Sequence, residues 1–331
     1  MTTTTTHRAP FTIGITDHVE GPRDRPSAAV FAEVAELVRL ADELGVEHAW
    51  FAEHHVHAHQ GHLPTPLLFA LHLAGRTRSI RLGTAISCLN LHHPLDLAEQ
   101  VAVADTLTGG RIAVGFGSGS TPAESALFNG PEGDEAGRHA RFEAALGTIL
   151  DAWLGRGSPA LMPRPAADLA GRSWVAVNSE GSARIAGRLG FNILFSHLRT
   201  PEQYRGYAAA YREAGGSGRI AANRPVHVGP DDAAALARVE PALRGLWRRF
   251  RDEGKIPAAT PEPVDPRDLR GHPINFVVGG PESVARQLLG LHEQVPFDVA
   301  NLEPRWLGLS HADTLDGLRR LMADVVPLLR R

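Results

Sequence analysis

Strand-like and helix-like segments alternate eight times along this chain, and that alternation restricts its folding more than any other feature. Phe11–Ile15 is a short β-rich run. Val30, Phe31, Val34, Leu37, Val38 and Ala41 then recur at helical spacing, and Gly45 is a natural stop. Further strands are predicted over Ala49–Ala52, Ile80–Ile86, Arg111–Phe116, Trp174–Val177, Phe191–Phe195, Ala221–Val228 and Phe297–Leu302. Helices are predicted over Pro66–Gly75, Pro94–Leu107, Arg138–Trp153, Ser182–Leu189, Pro201–Ala214, Asp231–Arg251, Gly280–Glu293 and His311–Leu329. Such alternation implies parallel strands joined by helical crossovers. Eight units in 331 residues suit an α/β fold closed as a (β/α)8 TIM barrel, with an open doubly wound sheet as the alternative. Residues 1–10 read as a disordered tail and 11–331 as one domain. Two insertions are expected, a polar loop at Thr121–Gly137 over the C-terminal mouth and a Pro-rich segment around 252–275.

Composition excludes some partners. A net charge of -3 gives no basis for binding nucleic acid or an anionic membrane. No apolar run approaches the ~20 residues of a membrane span. Cys88 is the only cysteine, so no intrachain disulfide can form. The first residues lack the basic start and apolar core of a signal peptide, and the expected location is the cytoplasm.

In a barrel of this kind, side chains just past the strand ends converge on one mouth. Here those positions are Thr16-Asp17-His18, Glu53-His54-His55, Ser87-Cys88-Leu89-Asn90, Gly117-Ser118-Gly119, Asn178–Ser182, Ser196-His197 and Glu303–Trp306. Five of the 17 histidines fall between Trp50 and His62. Such a run is a metal site, an acid/base site or a solvated loop. His55, His57 and His59 have the alternate spacing that lets an extended chain present several ligands to zinc. Barrel metallohydrolases place that pattern after the first strand, however, and need further His and Asp ligands from later strands; His197 fits one of these, but Glu303 stands where the aspartate should, so no metal is expected. His54 and His55 adjoin the strand end, while His57, His59 and His62 read as loop residues. Asn178–Arg184 opens a helix after a strand, which suits an anion, or an ordinary N-cap by Ser179 or Ser182. Gly115–Ser120 lacks the Gly-Lys-Ser/Thr of a nucleotide P-loop.

Several motifs in order carry a family resemblance. Trp50-Phe51-Ala52-Glu53-His54-His55 is similar to a signature of the bacterial luciferase-like flavin monooxygenases. Arg81–Ile86, His92-His93-Pro94, Ala98-Glu99-Gln100, Asp105–Arg111, Gly115–Gly119, the Asn178-Ser179 turn and Val278–Val284 resemble the same family. The resemblance implies reduced FMN at the barrel mouth and dioxygen activation through a flavin C4a-(hydro)peroxide. By the same resemblance, Ser179, Gly181 and Ser182 would hold the phosphate, with Ala85, Ser87, Gly117, Ser118 and Asn178 completing the cofactor site. His54, His55 and Glu53 would be the catalytic group, with His54 at the flavin's reactive edge as acid or base and Glu53 orienting its neighbours. A cis peptide is implied near Ala85-Ile86.

Two positions depart from the pattern. Ser118 replaces an arginine that helps hold the phosphate, a role Arg184 could take, and Asn178 replaces an acid. Both changes fit an enzyme that receives reduced flavin from a separate reductase and oxidises a small organic substrate, as many relatives do in secondary metabolism. A deazaflavin-dependent oxidoreductase is the near alternative. A zinc-dependent barrel hydrolase and a catalytically silent flavin-binding subunit are the alternatives of other classes, and the retained His54-His55 argues against silence. The resemblance also implies a homodimer through the helix carrying Leu67, Leu68, Phe69, Leu71 and Leu73; the alternative is burial of that face within the chain.

Overall fold

The computed structural model describes residues 9–56, 61–119, 126–128, 135–156, 160–197, 199–252, 254, 257–264, 276–306 and 308–330. Residues 1–8, His57, His59, most of the Thr121–Gly137 loop and much of the 252–275 segment lie outside the described residues. The strands are β1 (Thr12–Asp17), β2 (His48–Phe51), β3 (Arg81–Cys88), β4 (Ile112–Gly117), β5 (Trp174–Val177), β6 (Asn192–Phe195), β7 (Ile220–Val228), β8 (Val277–Gly279) and β9 (Val299–Glu303). The helices are α1 (Ser27–Glu43), α2 (Pro66–Ala74), α3 (Pro94–Thr108), α4 (Glu135–Leu154), α5 (Glu180–Leu189), α6 (Pro201–Glu213), α7 (Asp232–Asp252), α8 (Pro281–Gln294) and α9 (His311–Arg320). No helix among the described residues is long and apolar enough to cross a membrane.

Eight parallel strands close a ring in the order β1–β2–β3–β4–β5–β6–β7–β9 and back to β1, which is the (β/α)8 barrel the alternation implies. The sequence pattern did not reveal β8. It pairs only with the end of β7, through Val226↔Val277, His227↔Val278 and Val228↔Gly279. Pro225 marks the change of partner. It is the last β7 residue paired with β9, opposite Glu303, and proline has no N–H to donate to a ladder. The strand therefore continues beyond the barrel and takes up β8 outside the ring.

Strands covered on both faces read as apolar runs, and the wall of β1–β9 is buried almost throughout. Outside it, α1 sets Val30, Val34, Leu37, Val38 and Ala41 against the strands. Most of the apolar face of α2 is likewise internal. Leu67, Phe69 and Leu73 are buried, while Leu68 is 65% exposed, and Val103 and Leu107 of the neighbouring α3 are exposed as well.

Within the ring, Trp50 and Trp174 meet edge to face at 5.4 Å, and His48 stacks on Trp50 at 4.5 Å. Trp50 Nε1 donates to the Ala113 carbonyl at 3.0 Å. Burial drives the His48 pKa down to about 3, so this stacked ring is neutral. Glycine makes room for the indoles. A Cβ on Gly83 would lie 1.8 Å from the Ala113 oxygen and 3.1 Å from Trp50 Cδ1. We expect Gly83→Ala to lower stability by about 3 kcal/mol, measured by urea unfolding, because neither the barrel backbone nor a buried indole can give way. An unchanged midpoint would mean that the interior is loosely packed.

Candidate active site

The site is assembled where the chain leaves β1 and β2. Val19 adopts φ +51°, a region unfavourable to a β-branched residue, immediately after His18. Asp17 holds that turn. Its Oδ1 accepts the Val19 N–H at 2.6 Å and a hydrogen bond from Arg305 Nη1 at 3.2 Å. Burial pushes the Asp17 carboxyl up, and Arg305 and the Val19 N–H oppose that rise without cancelling it.

The loop after β2 folds back on this turn. His54 N–H donates to the Leu63 carbonyl and His62 N–H to the Val19 carbonyl, each at 3.0 Å, and Glu20 bridges Gly61 antiparallel. A Cβ on Gly61 would lie 2.5 Å from His54 Cβ, so only glycine allows the clasp to close. His62 lies in the loop, as expected, and its ring is engaged there. Its ring lies within hydrogen-bond distance of Ser27 Oγ at 2.9 Å and the Gly21 carbonyl at 3.1 Å, tying the β2 loop to the start of α1.

This clasp presents His54 to the mouth. Its Nε2 lies 3.2 Å from His18 Nδ1, with the two rings nearly parallel at 5.5 Å. His197, beyond β6, meets His18 edge-on at 5.5 Å. Glu303, the last residue of β9, is buried below both rings. Its Oε1 is 3.8 Å from His18 Nε2 and its Oε2 is 3.6 Å from His197 Nδ1. Burial, then repulsion from Glu20 and Asp17, pushes the Glu303 carboxyl well above the usual range, against the pull of Arg249 and Arg305.

Glu53 and His55 are placed differently from His54. Successive residues at a strand end point to opposite sides, and Trp50, Ala52 and His54 share the inner one. The Glu53 carboxylate instead receives His55 Nε2 and His92 Nε2 at 3.0 Å and the Cys88 N–H at 3.3 Å. His55 also meets Phe128 edge to face at 4.7 Å. Burial raises the Glu53 pKa, but the His55 and His92 hydrogen bonds outweigh it and leave the carboxyl below its ordinary value. The Glu53 hydrogen bond raises His92, with burial opposing. The pair contributes most between the ordinary glutamate value of 4.5 and the ordinary histidine value of 6.5. It weakens as pH rises through the raised His92 value, and as pH falls through the lowered Glu53 value. His92→Ala should therefore destabilise the chain by about 2 kcal/mol near pH 5.5 and by clearly less near about pH 9, read from denaturant midpoints. A loss independent of pH would show that His92 acts by packing alone.

The opposite side of the mouth is smooth. Ala52, Ala85, Gly115, Gly117 and Ala176 occupy alternate, inward positions of β2–β5 or their ends, and Ala85 and Ala176 are only half-buried although they face inward. The Ala85-Ile86 peptide is cis, and the β3–β4 register shifts between Thr84 and Ser87. A Cβ on Gly117 would come within 2.0 Å of Ile86 Cδ1. Ser87 is buried and its Oγ donates to Thr84 Oγ1 at 3.2 Å; Ser118 is half-buried at the rim.

At the end of β5, α5 starts two residues earlier than its apolar pattern predicts, because Ser179 caps it. Ser179 Oγ accepts the Ser182 N–H at 3.2 Å, and Ser182 Oγ accepts the Ser179 N–H at 3.3 Å. Gly181 sits against His139 of α4, whose Cε1 would be 3.2 Å from a Cβ there. The Asn178 side chain is exposed, and its carbonyl accepts the Tyr207 hydroxyl at 2.8 Å. Arg184 points elsewhere, pairing with Glu213 at 2.8 Å and Glu180 at 3.2 Å, so it does not replace the arginine missing at Ser118. The Ser182 hydroxyl itself donates to the Ser179 carbonyl at 2.9 Å and braces the turn, so the first-turn N–H groups, the Ser179 hydroxyl and a glycine without a Cβ form the donor set suited to a phosphate. Together with the smooth wall, they fit a phosphorylated planar cofactor such as FMN.

A sequence profile of the luciferase-like monooxygenases matches residues 10–296. The chain belongs to that family. It is 35% identical over 191 residues to the uncharacterized protein y4wF of Sinorhizobium fredii, and the match spans 54% of each chain, about half of that relative's length. It is 23% identical over 344 residues to the oxygenase component of the flavin-dependent trigonelline monooxygenase of Acinetobacter baylyi, covering 94% of this chain and 93% of that one. The F420-dependent glucose-6-phosphate dehydrogenase of Beutenbergia cavernae is 28% identical over 180 residues, 50% of this chain and 52% of that one. Among solved structures, the oxygenating constituent of 3,6-diketocamphane monooxygenase from Pseudomonas putida, in complex with FMN, superposes with a TM-score of 0.76 at 20% identity. That superposition covers 96% of this chain and 98% of the other, and it bears on the fold alone.

Within this luciferase-like barrel, sequence reasoning named His54 but did not single out His18, His197 and Glu303 as a group. Each had been placed at a strand end; what brings them together is the closure of β1 between β2 and β9.

Proposed function

We propose that this chain is the oxygenase component of a flavin-dependent monooxygenase that oxidises a small organic substrate with dioxygen and reduced FMN. One observation carries the reading: the Ser179–Ser182 helix start and the small-residue wall lie at the same barrel end as the His54–His18 pair. In this reading the N–H groups of Glu180 and Gly181, with the Ser179 hydroxyl, bind the phosphate, and Ser182 holds the turn that presents them. Ala85, Ser87, Gly117, Ser118 and Asn178 border the ring slot. Reduced FMN, when bound, supplies the electrons for dioxygen activation at its C4a carbon.

The chain's own part is to orient, to exclude water and to handle a proton. His54 is the acid/base group, holding or releasing a proton at Nε2, where His18 Nδ1 faces it at 3.2 Å. Glu53 and His55 act as positioning residues, since their hydrogen bonds fix the strand end that carries His54. A separate flavin reductase supplies the reduced cofactor, a reading supported by the name of the Acinetobacter relative, an oxygenase component. The outward Leu68, Val103 and Leu107 of α2 and α3 would pair two chains as a homodimer, and light scattering at the monomer mass would exclude it.

The test is anaerobic titration with reduced FMN, followed by admission of oxygen with absorbance recorded. We expect saturable binding that weakens about 10-fold in Ser179→Ala, as for a lost hydrogen bond to a charged group. His54→Ala should retain flavin but lose substrate oxidation by about 100-fold or more. Failure to bind FMN in either redox state would overturn the proposal, and binding of F420 instead would select the deazaflavin alternative.

A further inference from the structure

We propose that His18, His197 and Glu303 form a divalent-metal site of the zinc type on the polar side of the barrel mouth. The three come from the ends of β1, β6 and β9, and their donor atoms all lie within 4.8 Å of one another. The spacing is informative. His18 Nε2 to Glu303 Oε1 is 3.8 Å and His197 Nδ1 to Glu303 Oε2 is 3.6 Å. Direct N–H···O hydrogen bonds span roughly 2.7–3.2 Å, and a bridging water would hold its two partners roughly 4.5 Å apart or more. These separations fall between the two. A metal with ~2.0–2.2 Å bonds in tetrahedral geometry holds its ligand atoms roughly 3.3–3.6 Å apart, so the 3.6 and 3.8 Å pairs stand near that spacing and the whole set, within 4.8 Å, closes inward on binding.

The surroundings agree. His18 offers its two ring nitrogens to different partners, Nδ1 to His54 at 3.2 Å and Nε2 to the Glu303 side. In the tautomer that donates Nδ1–H to His54, Nε2 turns a lone pair towards the Glu303 carboxyl, and a cation between them would accept a lone pair from each. Most metal-bound histidines donate the other ring N–H to a neighbouring acceptor that fixes the ring, the part His54 would play for His18. Three protein ligands, with the fourth position taken by a water or substrate oxygen, are the pattern of catalytic zinc sites. The ligand class is therefore an anionic oxygen donor, such as a carboxylate, phenolate or enolate. Zn2+ has no redox chemistry of its own and is compatible with a reduced flavin in the same mouth. The three proposed ligands are other residues than the alternate-histidine run His55/His57/His59, whose spacing alone would suggest zinc.

The inference does not depend on the flavin reading, since metal binding is measured without flavin. The full chain, stripped with a chelator, is titrated with Zn2+ by calorimetry and then analysed for metal. We expect one Zn2+ per chain, with affinity falling more than about 100-fold in Glu303→Gln and about 10–100-fold in His54→Ala. Co2+ should give the visible absorption of a four-coordinate site, and His197→Ala should abolish it. A His57→Ala/His59→Ala double variant should bind as the parent does. Should Glu303→Gln fail to fold by circular dichroism, His18→Ala carries the same expectation. No binding, binding kept by folded Glu303→Gln or His18→Ala, or binding lost in the double variant would overturn the site.

Discussion

The edge-to-face contact of Trp50 with Trp174 is the constraint on which the barrel depends. Two indoles inside an eight-stranded ring fill its middle layer, and they fit only because β3 and β4 carry Gly83 and Gly115 where side chains would meet the neighbouring backbone. That filling has a consequence above it. With the core closed by large rings, the next layer can be left to Ala52, Ala85, Gly117 and Ala176. The cleft at the C-terminal end is therefore the space above a solid floor rather than the top of a pore.

The polar side of the mouth has another origin. The buried β9 carboxylate Glu303 has Asp17 and Glu20 nearby, and that crowding of acids is answered by Arg305 and Arg249. Arg305 pairs with Asp17, and Asp17 in turn holds Val19 in its left-handed turn. The charge balance and the backbone strain are thus one device. It fixes the direction in which His18 leaves β1, and so the approach of His18 to His54. Strain at a β-branched residue persists only when its surroundings over-determine it. Here they do so through an ion pair, a short carboxylate–amide bond and the clasp from the β2 loop.

Much of this was legible in the sequence. The eight-fold alternation yields the barrel, and the strand ends yield the mouth. Trp50-Phe51-Ala52-Glu53-His54-His55 reads correctly as a strand running into that mouth. The side-chain directions were open to inference but were not inferred. Counting in twos from Trp50 separates His54 from Glu53 and His55, which turn to the Cys88 and His92 side. Neither β8 nor the Glu303 group follows from local pattern. β8 is three residues long and pairs with β7 just past Pro225, where β9 ends. Glu303 meets His18 and His197 across 285 and 106 positions of chain, a proximity created only when the ring closes. Arg184, a plausible phosphate ligand by position, was claimed by Glu180 and Glu213, a surface pairing that the sequence left open.

The two sides of the mouth are thus built by different rules. From β2 to β5 the wall is backbone and small side chains, which can lie against a flat ring without offering it a proton. From β9 through β1, and again at β6, the wall is imidazole and carboxyl, which titrate and ligate but leave no flat surface. His54 stands at the seam. It belongs to β2 by sequence and to β1 by its contact with His18. A group that must serve chemistry at a cofactor and also reach solvent or a bound substrate has to connect both sides. Among the named groups of the described mouth, His54 connects them through a contact that the structure fixes from three directions: the Leu63 carbonyl, the missing side chain of Gly61 and the ring of His18.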